Sequence, residues 1–374
     1  MTRELQEIVS RIEQLEPGAS AVLATVVDVR GSSYRLPGAK MLILENGQTF
    51  GMVSGGCLEA DVLERAKKVI RTGKTDIFTY DTTGDENSVF SLNMGCRGVI
   101  RILLEKVGEK NPIVKTIRRV SESRTPAVVA TLIGSNNGNL GARAIYDATT
   151  GFNADGLPAN LQNISEFRSA CIEALNNDPD SKTFETSEAE PFEFSFEVIH
   201  PPITLQIFGA GSDAIPLAGA AELLGWQVSV LDHRPAYLEE SRFPDANDRI
   251  LIRSDGPNPE IVTDDLTAVV IMSHNYERDR ENLALALYSD AFYIGALGPK
   301  RRTEQILQEL NAQGKNFSNE QLKKLYAPAG LDIGADTPQS IALAIAAEIQ
   351  AALRERDGGF LRDRQGPIYD RNNR

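Results

Sequence analysis

The residues best suited to chemistry lie in a few glycine-rich turns. Ser54-Gly55-Gly56-Cys57-Leu58-Glu59 runs into a stretch where Leu58, Val62, Leu63, Ala66, Val69 and Ile70 recur at helical spacing, until Gly73 stops it. Glycines let a ligand come close to the backbone, and a cysteine at a helix start has its thiolate stabilised by the helix dipole. Such a turn can present a soft sulfur to a metal and cradle an oxyanion at once. The same residues also suit a small cysteine that closes a tight turn. Asn93-Met94-Gly95-Cys96-Arg97-Gly98 places another cysteine between glycines, beside a guanidinium. Cys171 differs, because with Phe167 and Leu175 it falls on one helical face and reads as core.

A third turn, Gly209-Ala210-Gly211-Ser212-Asp213-Ala214, follows the apolar run Leu205 to Phe208 and opens a helical stretch. That is the context a G-x-G-x-x-G/A dinucleotide turn requires. Its glycines allow a phosphate to approach, its helix start offers free N–H groups, and Asp232, about 20 residues on, can accept from a ribose hydroxyl. Asp213 puts a negative charge where a pyrophosphate would sit, and Arg234 can instead hold a terminal phosphate. His274 stands in Met272-Ser273-His274-Asn275 at the end of a predicted strand, on the edge of an α/β sheet that faces its ligand crevice. Acid–base chemistry and a capping bond both suit it. Lys300-Arg301-Arg302 opens a helix, where cations oppose the dipole unless an anion is near.

The elements that position these residues fall into two parts. Leu5, Ile8, Val9, Ile12 and Leu15 form a helical stripe, and Ala21 to Val29 and Lys40 to Leu44 read as strands. About a hundred residues on, Ala127 to Ile133 repeats Ala21 to Val27, and Leu140-Gly141-Ala142-Arg143 repeats Pro37-Gly38-Ala39-Lys40. A helical stretch, Ile164 to Leu175, follows again, but Gly156-Leu157-Pro158-Ala159 stands where the first copy has its cysteine turn. These features predict an N-terminal α+β domain with an internal duplication over residues 1–200, its halves about 1–110 and 111–200. Phe192 to Val198 alternates like a strand with one buried face, and Pro201-Pro202 punctuates the chain. Beyond it, strands at 203–208, 227–231, 249–252, 267–272 and 291–294 alternate with helices at 213–224, 276–288, 300–312 and 338–354. That alternation predicts a Rossmann-type, doubly wound parallel sheet over 201–355, followed by a tail at 356–374.

The 374 residues carry a net charge of -13, which argues against a surface for nucleic acid or anionic membrane. No run approaches the roughly 20 apolar residues of a membrane span, and the acidic N-terminus lacks the basic region of a signal peptide. Three cysteines without C-x-x-C fit a reducing compartment and predict a cytoplasmic protein.

In order, and over nearly the whole chain, the motifs resemble the xanthine dehydrogenase accessory factor family of the XdhC/CoxI type. They are Gly31-Ser32-Ser33 with Arg35-x-Pro37-Gly38-Ala39, Ser54 to Glu59, and Met94-Gly95-Cys96 with Gly98. Farther on come Phe208-Gly-Ala-Gly211, Asp232-x-Arg234-Pro235, Met272-Ser-His274, Ile294 to Arg301, and Pro328-x-Gly330-Leu331-Asp332-Ile333-Gly334-Ala335 with Thr337-Pro338. The resemblance implies a homodimeric factor that binds molybdenum cofactor of the molybdopterin type and helps install its terminal sulfido ligand. It implies delivery to a molybdenum hydroxylase such as xanthine dehydrogenase, with a cysteine desulfurase as a further partner. Within that frame Cys57 and Cys96 are the candidates for handling sulfur or the molybdenum, with Cys57 as the metal's ligand. Gly55, Gly56, Gly209, Gly211, Asp232, Arg234 and His274 are the candidates for binding the cofactor. Two departures stand out, since many members read Gly-Cys-Gly-Gly where this chain has Gly95-Cys96-Arg97-Gly98, and many lack an acid at Asp213. A competing reading is an NAD(P)-dependent oxidoreductase, with Asp232 on the ribose and His274 as acid. No Lys/Tyr or His/Asp pair stands at a dehydrogenase spacing, which favours a non-redox factor. A third reading is a binding protein that kept the folds and lost the ligand. Cations beside turns and at strand ends, Arg97 among them, suit an anionic cofactor on a chain of this charge, and they predict that His274, Arg234 and Lys300 to Arg302 face the cysteine loops across a cleft.

Overall fold

A computed structural model of the chain describes residues 1–81, 98–134, 138–159, 165–176, 181–185, 192–253, 262–365 and 368. They form two compact units, one over Arg3–Pro201 and one from Pro202 onward.

The first unit carries the duplication in full. Its first half contains α1 (Arg3–Glu13), β1 (Ala21–Gly31), β2 (Lys40–Leu44), β3 (Thr49–Gly51), α2 (Glu59–Thr72), β4 (Asp76–Asp81) and β5 (Gly98–Val107). The second contains α3 (Pro112–Ser123), β6 (Ala127–Gly134), β7 (Arg143–Asp147), β8 (Gly151–Asn153), α4 (Ser165–Asn176), β9 (Ser181–Glu185) and β10 (Glu193–Ile199). The two antiparallel sheets have the same strand order, β3-β2-β1-β5-β4 and β8-β7-β6-β10-β9. Along β1, Val22, Ala24 and Val26 pack on Val62, Ala66 and Val69 of α2. Ala21 and Leu23, on its other face, join Ala127 and Val129 of β6 in a core shared by the two sheets. Val128, Ala130 and Leu132 turn the opposite way, onto Phe167 and Cys171 of α4. Both faces of β1 and β6 are therefore covered, which is why each reads as an unbroken apolar run. The helix α3 is additional to the elements predicted above. It starts where the Asn111 side chain accepts from the Ile113 N–H, with Pro112 at its first position.

Charges cross between the halves in a reciprocal pattern. Lys40 and Arg143 hold equivalent places, opposite Thr25 and Thr131 in their sheets. Lys40 reaches Glu197 of β10 at 2.5 Å, and Arg143 makes a two-pronged contact with Glu105 of β5. All four carboxylate and cationic groups are largely buried, the Lys40 side chain to 2% exposure.

The second unit is the doubly wound sheet the alternation predicts. It runs β11 (Thr204–Phe208), α5 (Ala214–Leu223), β12 (Gln227–Asp232), β13 (Asp248–Leu251), β14 (Thr267–Ile271), α6 (Tyr276–Leu287), β15 (Tyr293–Ala296), α7 (Lys300–Ala312), α8 (Asn319–Lys323), β16 (Leu325–Tyr326) and α9 (Pro338–Leu353). The strand order is β13-β12-β11-β14-β15-β16, with every pairing parallel. α5 and α9 cover one face, and α6 and α7 the other. The chain leaves β11 towards β12 and returns to β14 on β11's other side, so the switch point lies between β11 and β14, where open α/β sheets bind ligands. The sixth strand, β16, and α8 are too short for periodicity to reveal. Among the described residues no helix is long and apolar enough to cross a membrane.

Candidate functional site

The cysteine turn is built as a rigid loop with an exposed tip. Val53 and Leu58 are buried at its two ends, whereas Gly55, Gly56 and Cys57 are exposed. Glu59 ties the ends together. Its carboxylate accepts from the Ser54 N–H at 2.8 Å, from the Ser54 hydroxyl, and from the Leu58 N–H at 3.2 Å. The Ser54 Oγ in turn accepts from the N–H groups of Gly56 and Leu58, at 3.3 and 3.0 Å. Burial alone would raise the Glu59 pKa, but these hydrogen bonds outweigh it and hold the carboxyl below its ordinary value. Gly56 has φ +107, a conformation that other residues rarely adopt.

α2 begins at Glu59, so Cys57 precedes the helix cap rather than sitting in the first turn. The Gly55 and Cys57 N–H groups make no hydrogen bond among the described residues, and they lie beside the exposed thiol. Tyr34 packs its ring on Gly55: a side chain there would meet the ring at 3.3 Å. At 62% exposure, Tyr34 leaves much of its surface open. The loop that carries it is anchored through Arg35, which donates to both oxygens of Glu4 at 2.8 Å, while Glu4 also accepts from the Met52 N–H. Among the described residues no group of three His, Cys, Asp or Glu side chains could hold a metal ion. Cys57 is a single free, exposed thiol. Cys96 and Arg97 lie outside the described residues. Cys171 is buried in the α4 core, and burial pushes its thiol up to about 12.

At the Rossmann edge, Gly209 (φ +121) lies so close to the next loop that a Cβ would fall 2.5 Å from the Met272 carbonyl oxygen. Asp232 does something other than wait for a ribose. Its side chain is 1% exposed, and it accepts from the Ala210 N–H at 2.7 Å, the Arg234 N–H at 2.8 Å, and the Arg234 Nε and Nη2 at 2.9 and 2.8 Å. Four donors fill the roughly four acceptor positions of a carboxylate. Burial opposes ionisation of Asp232, yet Arg234 and the two backbone N–H groups prevail and bring its pKa down to about 2. Arg234, expected on a terminal phosphate, donates through Nε and Nη2 to Asp232 and stacks over Tyr237 at 3.7 Å. His274, with φ +56, places Nε2 2.6 Å from the Asp213 carboxylate. Arg302 pairs with the buried Asp279 at 2.7 Å, which separates it from Lys300 and Arg301; these two are exposed and make no ion pair among the described residues.

Three contacts were beyond sequence reasoning, those of Glu59 with Ser54, Arg234 with Asp232, and Asp213 with His274. The first two link near neighbours, and the two polar residues within one short motif were the only signal. The third spans 61 residues and left none.

The chain is similar to known proteins over most of its length. The family model described as the XdhC Rossmann domain matches residues 205–349, and the one described as the XdhC and CoxI family matches residues 14–81. A Bacillus subtilis (strain 168) protein, named as a probable xanthine dehydrogenase subunit, is 30% identical over 336 residues, covering 90% of this chain and 94% of the relative. The molybdenum cofactor insertion chaperone PaoD of Escherichia coli (strain K12) is 26% identical over 341 residues, covering 90% and 85%. A crystal structure from Bacillus halodurans, titled as a xanthine dehydrogenase, superposes with a TM-score of 0.73 at 28% identity, covering 95% of this chain and 96% of that one. The chain belongs to the XdhC and CoxI family.

Proposed function

We propose that the protein is a cytoplasmic maturation factor that holds molybdenum cofactor, assists its sulfuration and hands it to a molybdenum hydroxylase of the xanthine dehydrogenase kind. The observation that carries the reading is the exposed Cys57 thiol on a loop whose shape is fixed by Ser54 and Glu59. The chain that bears it is similar, over 90% of its length, to a protein named for molybdenum cofactor insertion. The cofactor is cargo here: its dithiolene already holds the metal, so a carrier needs one soft side-chain ligand and no cage. Cys57 supplies that ligand, the Gly55 and Cys57 N–H groups donate to an oxyanion, and the open surface of Tyr34 offers a flat support for the pterin. An exposed site keeps the metal reachable by a cysteine desulfurase and then by the hydroxylase. The protein works as a homodimer in this reading. Hydride transfer draws no support from Asp232, whose acceptor positions are taken.

The test is Cys57→Ser. The variant is expected to melt like the parent, because the loop's hydrogen bonds do not involve the thiol. Molybdenum co-eluting with the protein after gel filtration should fall at least tenfold, and so should the rate of hydroxylase activation. If the variant retains and delivers cofactor at the parent rate, Cys57 is only part of a turn and the reading fails.

A further inference from the structure

We propose that Asp213 is a specificity-determining residue that fills the phosphate position of the Rossmann turn with the chain's own carboxylate, so that this domain rejects nucleotide pyrophosphates.

In a dinucleotide-binding turn the second glycine leaves a hollow into which the pyrophosphate descends onto backbone N–H groups. Gly211 is that glycine here, and its hollow is not empty: a Cβ built on it would fall 2.5 Å from Asp213 Oδ1. The other oxygen, Oδ2, is held by His274 Nε2 at 2.6 Å. His274 lies in the loop after β14, and Asp213 in the turn after β11, so their bond bridges the two strands that flank the switch point. The bridge therefore spans the place where such a sheet takes its ligand.

Three features fix the carboxylate there. Gly209 packs against Met272 and Ser273, holding the two loops together. Asp232 clamps the turn through the Ala210 N–H. His274 keeps a left-handed conformation (φ +56) that other residues seldom adopt, and in it the imidazole meets Asp213. The Gly211, Ser212 and Asp213 N–H groups make no hydrogen bond among the described residues, so the turn keeps the donors of a phosphate site. What it lacks is room and a favourable charge. A pyrophosphate would displace the carboxylate from His274 or lie against it, and like charges in contact oppose binding. Asp213 Oδ1 has no hydrogen-bond donor among the described residues, so a ligand reaching this turn brings hydroxyl or amino donors instead.

The experiment titrates the full-length protein with NADH, followed by its fluorescence, and with ADP-ribose, followed by calorimetry. Asp213→Asn keeps the shape of the side chain and removes its charge; Asp213→Gly also empties the hollow. The parent is expected to show no saturable binding up to millimolar ligand. Both variants should bind at least tenfold more tightly, with Asp213→Gly the tighter, and both should melt within a few degrees of the parent. His274→Gln leaves the carboxylate in place and should bind no better than the parent. Tight binding by the parent, or no gain in either folded variant, overturns the proposal. It does not rest on the cofactor reading above, which the Cys57→Ser experiment tests separately.

Discussion

At the scale of single residues, the two glycine turns are controlled by carboxylates. Glu59 accepts three hydrogen bonds that set the cysteine loop, and Asp232 accepts four that set the Rossmann turn. Each is held below its ordinary pKa, so each stabilises the fold only while ionised. For Asp232 the native value is about 2, against an ordinary 3.8, and the native state therefore favours the ionised form. Its contribution is fully present above about pH 4 and drains away as pH falls through 2. At neutral pH the difference is worth on the order of 2 kcal/mol. Asp232→Asn should cost about that much in urea unfolding at pH 7, and the gap to the parent should narrow steadily as pH drops towards 2. A gap that stays constant with pH would mean that shape, rather than charge, ties Ala210 to Arg234. The turn's sequence singled out Asp232 as an acceptor for a ribose hydroxyl. It could not show that Arg234, two residues on, would fold back and saturate it, because a ribose and a guanidinium satisfy the same oxygens.

Among elements, the reciprocal pairs Lys40–Glu197 and Arg143–Glu105 explain how two repeats became one unit. Each repeat contributes a cation from its second strand and a carboxylate from its last strand, and each cation is answered by the other half. A buried pair adds little net stability, but stripping one partner leaves a buried charge unanswered. Lys40→Met and Glu105→Gln are each expected to cost about 3–5 kcal/mol. Lys40→Met with Glu197→Leu should recover most of the loss; chemical denaturation measures all of these. Equal loss in the single and double variants would show that packing dominates. Much of this unit was legible: the repeated Ala21 and Ala127 runs gave both central strands, and the Gly-Ala-Lys and Gly-Ala-Arg echoes gave the duplication. The pairing was not, because Lys40 in an apolar strand carries no mark of a partner 157 residues away. α3 was legible in principle, through Asn111-Pro112 and the Ile113, Val114, Ile117 and Val120 stripe, but its amphipathic pattern sits between two stronger strand signals. In the second unit the strand–helix rhythm marked the parallel, doubly wound class, since parallel strands buried on both faces read as apolar runs, but it marked neither the strand order nor the two-residue β16.

At the scale of the whole molecule, two helices with a shared core carry almost no charge on a chain of net charge -13. α5 and α9 pack together over one face of the Rossmann sheet. Across Ala214–Leu223 the one ionisable residue is Glu222; across Pro338–Leu353 it is Glu348, which turns inward to accept from the Tyr293 hydroxyl at 2.6 Å and the Gly330 N–H at 2.8 Å. Yet Leu223 is 72% exposed and Leu343 60%, with Ile215 also open. Helices that are apolar all round are ordinarily covered. A second copy of this chain suits the face, because a two-fold interface sets identical patches against each other and an uncharged patch avoids the repulsion that -13 imposes elsewhere. Small residues such as Gly219, where a Cβ would meet open space, let helices approach closely. The parent is therefore expected to sediment as two chains at micromolar concentration. Leu343→Lys, and more strongly Leu223→Lys with Leu343→Lys, should sediment as one, with melting of the single unit nearly unchanged because neither side chain is buried within it. A stable dimer needs about 1,200–2,000 Å² of total buried surface, so two lysines placed within such an area on each copy should be decisive. If the parent sediments as a single chain, or the doubly substituted variant stays paired, this face is not where two copies meet.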